Sequence, residues 1–187
     1  MKSYQTMLDR VCNSIISGNL EYKDTIIIGD NSSGKSDVLR QLVQNDKEEK
    51  FYFIDEVNRY FDIEQITPDL VQKINYSKEI NKQRLDEDTF NYKDTFYYGG
   101  IPRAIEDFYV NYSSQIKALM DEFLQISFLI CRGEVGWNAY VNDTRVDLSS
   151  GYQALIRIFM EILYFSDTKS SGTIVIDEVD EFLSVKN

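Results

Sequence analysis

Residues 25–42, TIIIGDNSSGKSDVLRQL, decide the fold, because they place a β-branched run, a glycine-bounded loop and an amphipathic run in immediate succession. Gly29, Asp30, Asn31, Ser32, Ser33, Gly34, Lys35 and Ser36 fill every position of the pattern G-x-x-x-x-G-K-[ST]. In that pattern successive backbone N–H groups wrap around the phosphates of a nucleotide. Lys35 is expected to reach the outer phosphates and Ser36 to bind Mg2+ through its hydroxyl. Asp37 completes the loop, and the helix that follows aims its positive end at the same charge. The flanks match this reading: residues 25–28 form the predicted strand, and Val38, Leu39 and Leu42 mark the helix.

Working outward, 187 residues with 43% hydrophobic content can bury one substantial core. The balance of 31 acidic against 20 basic residues, a formal charge of −11, argues against direct binding of a nucleic-acid backbone by this chain. Cys12 and Cys131 are too few for a disulfide scaffold. No signal-like N-terminus or long apolar span is visible, so a cytoplasmic location without a membrane span is expected. The chain contains no histidine, which excludes Ser-His-Asp and Cys-His hydrolysis and His-based zinc sites. Carboxylates, lysine and a hard cation are left to carry the chemistry.

Along the chain, Met7, Leu8, Val11, Ile15 and Ile16 predict an amphipathic helix over residues 4–17. Residues 51–61, FYFIDEVNRYF, read as a strand running into Asp55 and Glu56. Residues 173–183, TIVIDEVDEFL, read as another running into Asp177 and Glu178. Each has the form of a Walker B segment, in which the aspartate helps hold the metal and the glutamate polarises water. Between them, residues 68–126 are largely helical in pattern, with Leu70, Val71 and Ile74 early and Ile116, Leu119, Met120 and Phe123 late. TFYYGGIP at residues 95–102 interrupts that pattern, and the Tyr97 and Tyr98 rings are read as packing. Residues 126–131 predict a strand, and WNAYVNDTRVDL a hairpin turning at Asn142 and Asp143.

A second motif follows the hairpin. Leu148, Ser149, Ser150, Gly151, Tyr152 and Gln153 lead into ALIRIFMEILYF and then the Asp177 strand. By itself this loop is an N-cap, with the anion affinity of any helix start. The order of P-loop, helical insertion, LSSGYQ loop, long helix and strand ending in Asp-Glu resembles the ABC-type ATPase head, particularly its soluble AAA/SMC-like branch.

That resemblance implies an α/β P-loop NTPase whose mainly parallel sheet is flanked by helices and interrupted by a helical subdomain. The expected parts are 1–67, with the N-terminal helix and Walker A; 68–125, the helical insertion; and 126–187, with the signature loop and Walker B. It implies ATP and Mg2+ as ligands, Ser36 and Asp177 on the metal, and Glu178 with Lys35 as the catalytic pair. Ser149, Ser150, Gly151 and Gln153 would contact in trans the nucleotide of an opposing protomer. A nucleotide-dependent homodimer or heterodimer controlling an effector protein or appended domain would follow, in settings such as DNA repair or anti-phage defence. Residues 179–183 would form the D-loop, and Gln65 would stand where the family has a glutamine-bearing loop.

The sequence departs from the family at Ser32 and Ser150, where glycines are common, and after Asn187, where the family has a further strand ending in a switch histidine. A fragment of a longer polypeptide, or a strand supplied by another segment, is therefore expected. The alternative functions are a non-hydrolysing nucleotide sensor and, less in keeping with the N-terminal helix, a transporter ATPase subunit.

Overall fold

The structure, a computed structural model, describes residues 4–17, 25–27, 33–55, 59–86 and 104–178. Its elements are helix α1 (Tyr4–Ile16), helix α2 (Lys35–Gln44), strand β1 (Phe51–Ile54), helix α3 (Ser77–Leu85), helix α4 (Tyr109–Leu124), strands β2 (Phe128–Arg132), β3 (Trp137–Val141) and β4 (Thr144–Val146), helix α5 (Ser150–Thr168) and strand β5 (Thr173–Ile176). Short 3-10 turns stand at Ile63–Gln65 and Ile105–Phe108.

The strands β1 and β5, far apart in sequence, pair in parallel with Phe51 opposite Thr173 and Ile54 opposite Ile176. All four residues of β1 are buried, because both faces of the pair are covered. Tyr52 and Ile54 point into the main core with Ile156, Met160 and Phe165 of α5, and Ile174 and Ile176 of β5 pack against the same core. Phe51, Phe53 and Val175 face the other way, onto Val43 and Leu39 of α2. The period-two alternation of the strands thus feeds two helical layers, giving a helix–sheet–helix sandwich.

A sheet this narrow has exposed backbone groups to satisfy. Along β1 they are met by side chains of α3. Asn81 accepts from the Phe53 N–H at 2.9 Å and donates to the Phe51 carbonyl at 2.7 Å, as a neighbouring strand would. Arg84, one turn on, donates to the Phe53 carbonyl.

The second sheet is antiparallel and separate, in the order β2-β3-β4. Its hairpin turns where the sequence predicts: Asn142 and Asp143 take φ of 49° and 61°, the left-handed pair that matches the twist of a two-residue hairpin. Trp137 anchors this sheet by donating from its ring N–H to the Ile66 carbonyl.

Two expectations differ from the observed chain. Residues 25–27 are not in a strand, and Ile26 is 86% exposed while Ile27 packs on the cluster of Leu8, Cys12, Val38 and Leu42. Among the described residues the parallel sheet has two strands, so residues 25–27 have no pairing to hold them extended. Leu70, Val71 and Ile74 lie in irregular chain rather than a helix. Here tertiary hydrogen bonds replace helical ones. Asn111 of α4 brackets Val71 with one accepted and one donated bond, and the Tyr164 hydroxyl donates to Ile74. Val71, Ile80, Ile105, Tyr112, Ile116 and Met120 share one core with β1 and α5, so the described parts of this helical stretch are built into the sandwich.

Candidate functional site

Two loops and two strand ends carry the predicted chemistry. Gly34, at φ 87°, caps α2, and its carbonyl takes the first helical bond, from the Val38 N–H. Lys35, Ser36 and Asp37 form the first turn of α2, with Lys35 and Ser36 half-buried. Asp37 accepts a 2.8 Å hydrogen bond from the Tyr4 hydroxyl of α1, which pushes the phenol pKa up. Ser33 is exposed; Gly29, Asp30, Asn31 and Ser32 lie outside the described residues.

The sandwich decides which end of the sheet these residues approach. Residues 45–50 join α2 to β1, with Asp46 accepting from the Phe51 N–H, and the helix packs on the strand it precedes. It must therefore run back along β1. Ten helical residues rise about 15 Å and four strand residues about 13 Å, so the Lys35 end of α2 lies toward the carboxyl ends of β1 and β5. Those carboxyl ends carry Asp55 and Asp177.

The two aspartates, both buried, have different surroundings. Asp55 has the Arg84 guanidinium 3.9 Å away. Asp177 donates its N–H to the Ile54 carbonyl and accepts from Arg59 through its own backbone carbonyl at 2.6 Å, yet its Oδ2 is buried with no hydrogen-bond partner. A carboxylate oxygen removed from water without a partner is costly, and a water, an N–H or O–H donor or a cation would satisfy it. A carboxylate oxygen and the hydroxyl of the half-buried Ser36 are each donors of the kind a hard cation takes. Glu178, next in the chain, is exposed at φ 46°. Glu56 of the first pair, and residues 179–183, lie outside the described residues.

Behind the strand ends lies a buried charge cluster that sequence reasoning did not single out. Glu161 of α5 accepts two bonds from Arg84 at 2.8 and 3.0 Å, one from Arg157 at 2.8 Å and one from the Tyr52 hydroxyl at 3.0 Å. Burial alone would raise its pKa, but the charges of Arg84 and Arg157 override that and bring it down to about 2. Burial, with the Glu161 charge beside it, pushes the Tyr52 phenol well above its usual range. Arg157 also reaches Glu106, at 3.4 Å. Burial lowers the pKa of Arg59 despite the attraction of Glu161 and Asp55. The available signal was Arg157 and Glu161, four apart inside the otherwise apolar ALIRIFMEILYF.

The signature-like loop forms the start of α5. Ser149 caps the helix by accepting from the Tyr152 N–H, and the Gln153 side chain donates to the Leu148 carbonyl. Ser150 and Gly151 are the first two helical residues. Ser149 precedes Glu161, which abuts mid-β1, by twelve residues, or about 18 Å of helix. The loop is therefore held well away from the middle of the sheet. Gln65 donates to Asp62 within its own turn. Among the described residues no cluster of three or more acidic or cysteine side chains could hold a metal, and no helix is long and apolar enough to cross a membrane.

The fold and site define an α/β protein in which a small parallel sheet between helices is joined by a separate antiparallel sheet. Comparison with protein-family models, with curated proteins and with solved structures finds no match to this chain.

Proposed function

We propose that the chain is an ATP-binding head with the P-loop NTPase arrangement, which hydrolyses ATP with Mg2+ and closes on a second head around the nucleotide. The observation that carries this reading is the unpartnered, buried Oδ2 of Asp177 at the strand end toward which the Lys35 turn of α2 is directed. It also favours the Asp177 pair in this reading, since Asp55 stands beside a buried arginine and Asp177 has a buried oxygen without a hydrogen-bond partner.

In this reading Lys35 and the amides of the first turn of α2 bind the phosphates, where positive charge counters what develops on the transferred group. Ser36 and Asp177 would hold Mg2+, which when bound supplies charge neutralisation between the outer phosphates. Glu178, exposed beside a buried aspartate, orients the attacking water and takes its proton. Ser149, Ser150, Gly151 and Gln153 approach the nucleotide of a second protomer, since α5 carries them away from their own sheet. The effector is a partner protein or an appended domain.

Lys35→Ala tests the reading. It should abolish ATP binding in calorimetry while leaving the circular dichroism spectrum unchanged. Equal ATP affinity in variant and parent would overturn it. Within a binding-competent protein, Glu178→Gln should stop turnover and retain ATP, and Glu56→Gln should do much less.

A further inference from the structure

Glu178 is one of five described residues other than glycine with positive φ, and the only one beside a buried arginine that holds the preceding peptide. Arg59 reaches that peptide from the chain after β1: its Nη2 donates to the Asp177 carbonyl at 2.6 Å, while Nε and Nη1 have no hydrogen-bond partner. The side chain is 3% exposed and stands in the field of Asp55 and Glu161, which attract it, and of Arg84 and Arg157, which repel it. An arginine so buried, spending its one hydrogen bond on a main-chain carbonyl, fixes the orientation of that carbonyl. A fixed carbonyl on Asp177 constrains the next φ, and the next residue is Glu178.

We infer that Arg59 is a positioning residue: by gripping the Asp177 carbonyl it sets the left-handed turn from which Glu178 projects. This role rests on the reading of Glu178 as the residue that orients water. Arg59 itself takes no part in proton transfer. Its contribution is geometric, and a displaced general base loses about 100-fold in rate when reacting atoms shift by about 1 Å. Around it, Glu161 is held by four hydrogen bonds from three residues, so the charges in whose field Arg59 stands are themselves fixed.

The test separates this geometry from hydrolysis itself. Glycine accepts a left-handed φ without penalty, so Glu178→Gly should raise Tm in the parent background by about 2–4 °C. In an Arg59→Met background, where nothing holds the carbonyl, the same substitution should give no rise. Should Arg59→Met fail to fold, Arg59→Lys keeps the buried charge, draws the donor back from the Asp177 carbonyl on a shorter side chain and serves in the same cycle. An equal Tm change in both backgrounds overturns the inference. Steady-state kinetics supply the second readout: Arg59→Lys should lower kcat about 100-fold with KM for ATP unchanged. A rise in KM with kcat unchanged also overturns the positioning role. A parent chain that does not bind ATP in calorimetry would defeat the proposed function, while the Tm cycle would still decide whether Arg59 sets the turn.

Discussion

Arg84 and Glu161 meet face to face at the centre of the protein, neither exposed to solvent, through two N–H···O bonds of 2.8 and 3.0 Å. The pair binds α3 to α5 across the middle of β1, where Arg84 meets the Phe53 carbonyl and Glu161 the Tyr52 hydroxyl. Two such charges recover their desolvation cost only when every lone pair is used, as the further bonds from Arg157 and Tyr52 achieve here.

Glu161→Gln should therefore destabilise the protein by about 3–5 kcal/mol, because it removes the carboxylate charge shared by two buried guanidinium groups. The pH dependence has a definite sign. The folded pKa of about 2 lies below the ordinary 4.5, so this contribution is complete above pH 4.5 and is lost as pH falls from there through about 2. Urea melts of parent and variant across that range should converge toward acid. A gap in stability that stays constant from neutral pH to pH 2 would contradict the assignment.

Asn81 substitutes for a strand. Asn81→Leu would orphan the Phe53 N–H and the Phe51 carbonyl, at about 1–3 kcal/mol for each buried group. Hydrogen exchange at the Phe53 amide should accelerate accordingly. Unchanged protection there would mean that α3 does not cap the sheet.

At Gly34 two effects can be ranked by magnitude. A Cβ there would come within 1.9 Å of the Tyr4 hydroxyl, but that atom is the far end of a half-exposed side chain, held by one exposed bond to Asp37, and can swing away. The backbone, at φ 87°, cannot. Gly34→Ala should cost about 1–2 kcal/mol, the penalty of a left-handed residue, and Tyr4→Ala should not rescue it. Full recovery of Tm in the double variant would show that the clash mattered more than the dihedral.

The proposed assembly is tested at the start of α5. Gly151→Arg puts a long cation on a half-exposed helical residue, where it need not unfold the chain. It should leave ATP affinity nearly unchanged yet prevent ATP-dependent dimers in a Glu178→Gln background, by light scattering. Dimers that persist would sink the trans role of the loop and leave ATP binding by residues 29–37 untouched.

Much of the secondary structure was legible because local rules set it. The strands Phe51–Ile54 and Thr173–Ile176 fall where their apolar runs predict, α1 and α5 follow their helical periodicity, and the hairpin turns at Asn142 and Asp143 because those residues tolerate positive φ. The phosphate-loop pattern was likewise a property of consecutive residues, though its first four positions lie outside what the structure describes. Leu70 and Ile74 were misread as helical because helical spacing says nothing of Asn111 and Tyr164, whose side chains claim that backbone from across the core.

The sequence by itself indicated most of the elements, the candidate loops at residues 29–37 and 148–153, and two Asp-Glu ends, of which the order of motifs favoured Asp177 and Glu178. Only the tertiary structure shows that Arg84 stands beside Asp55 and that an oxygen of Asp177 is buried without a hydrogen-bond partner. Only it gathered Arg84, Glu106, Arg157 and Glu161 into one buried cluster and laid Arg59 against Asp177. The reason is physical: periodicity reports which face of an element is buried, whereas pairing of buried charges depends on contacts between residues as far apart as the 77 positions from Arg84 to Glu161, which no local pattern encodes.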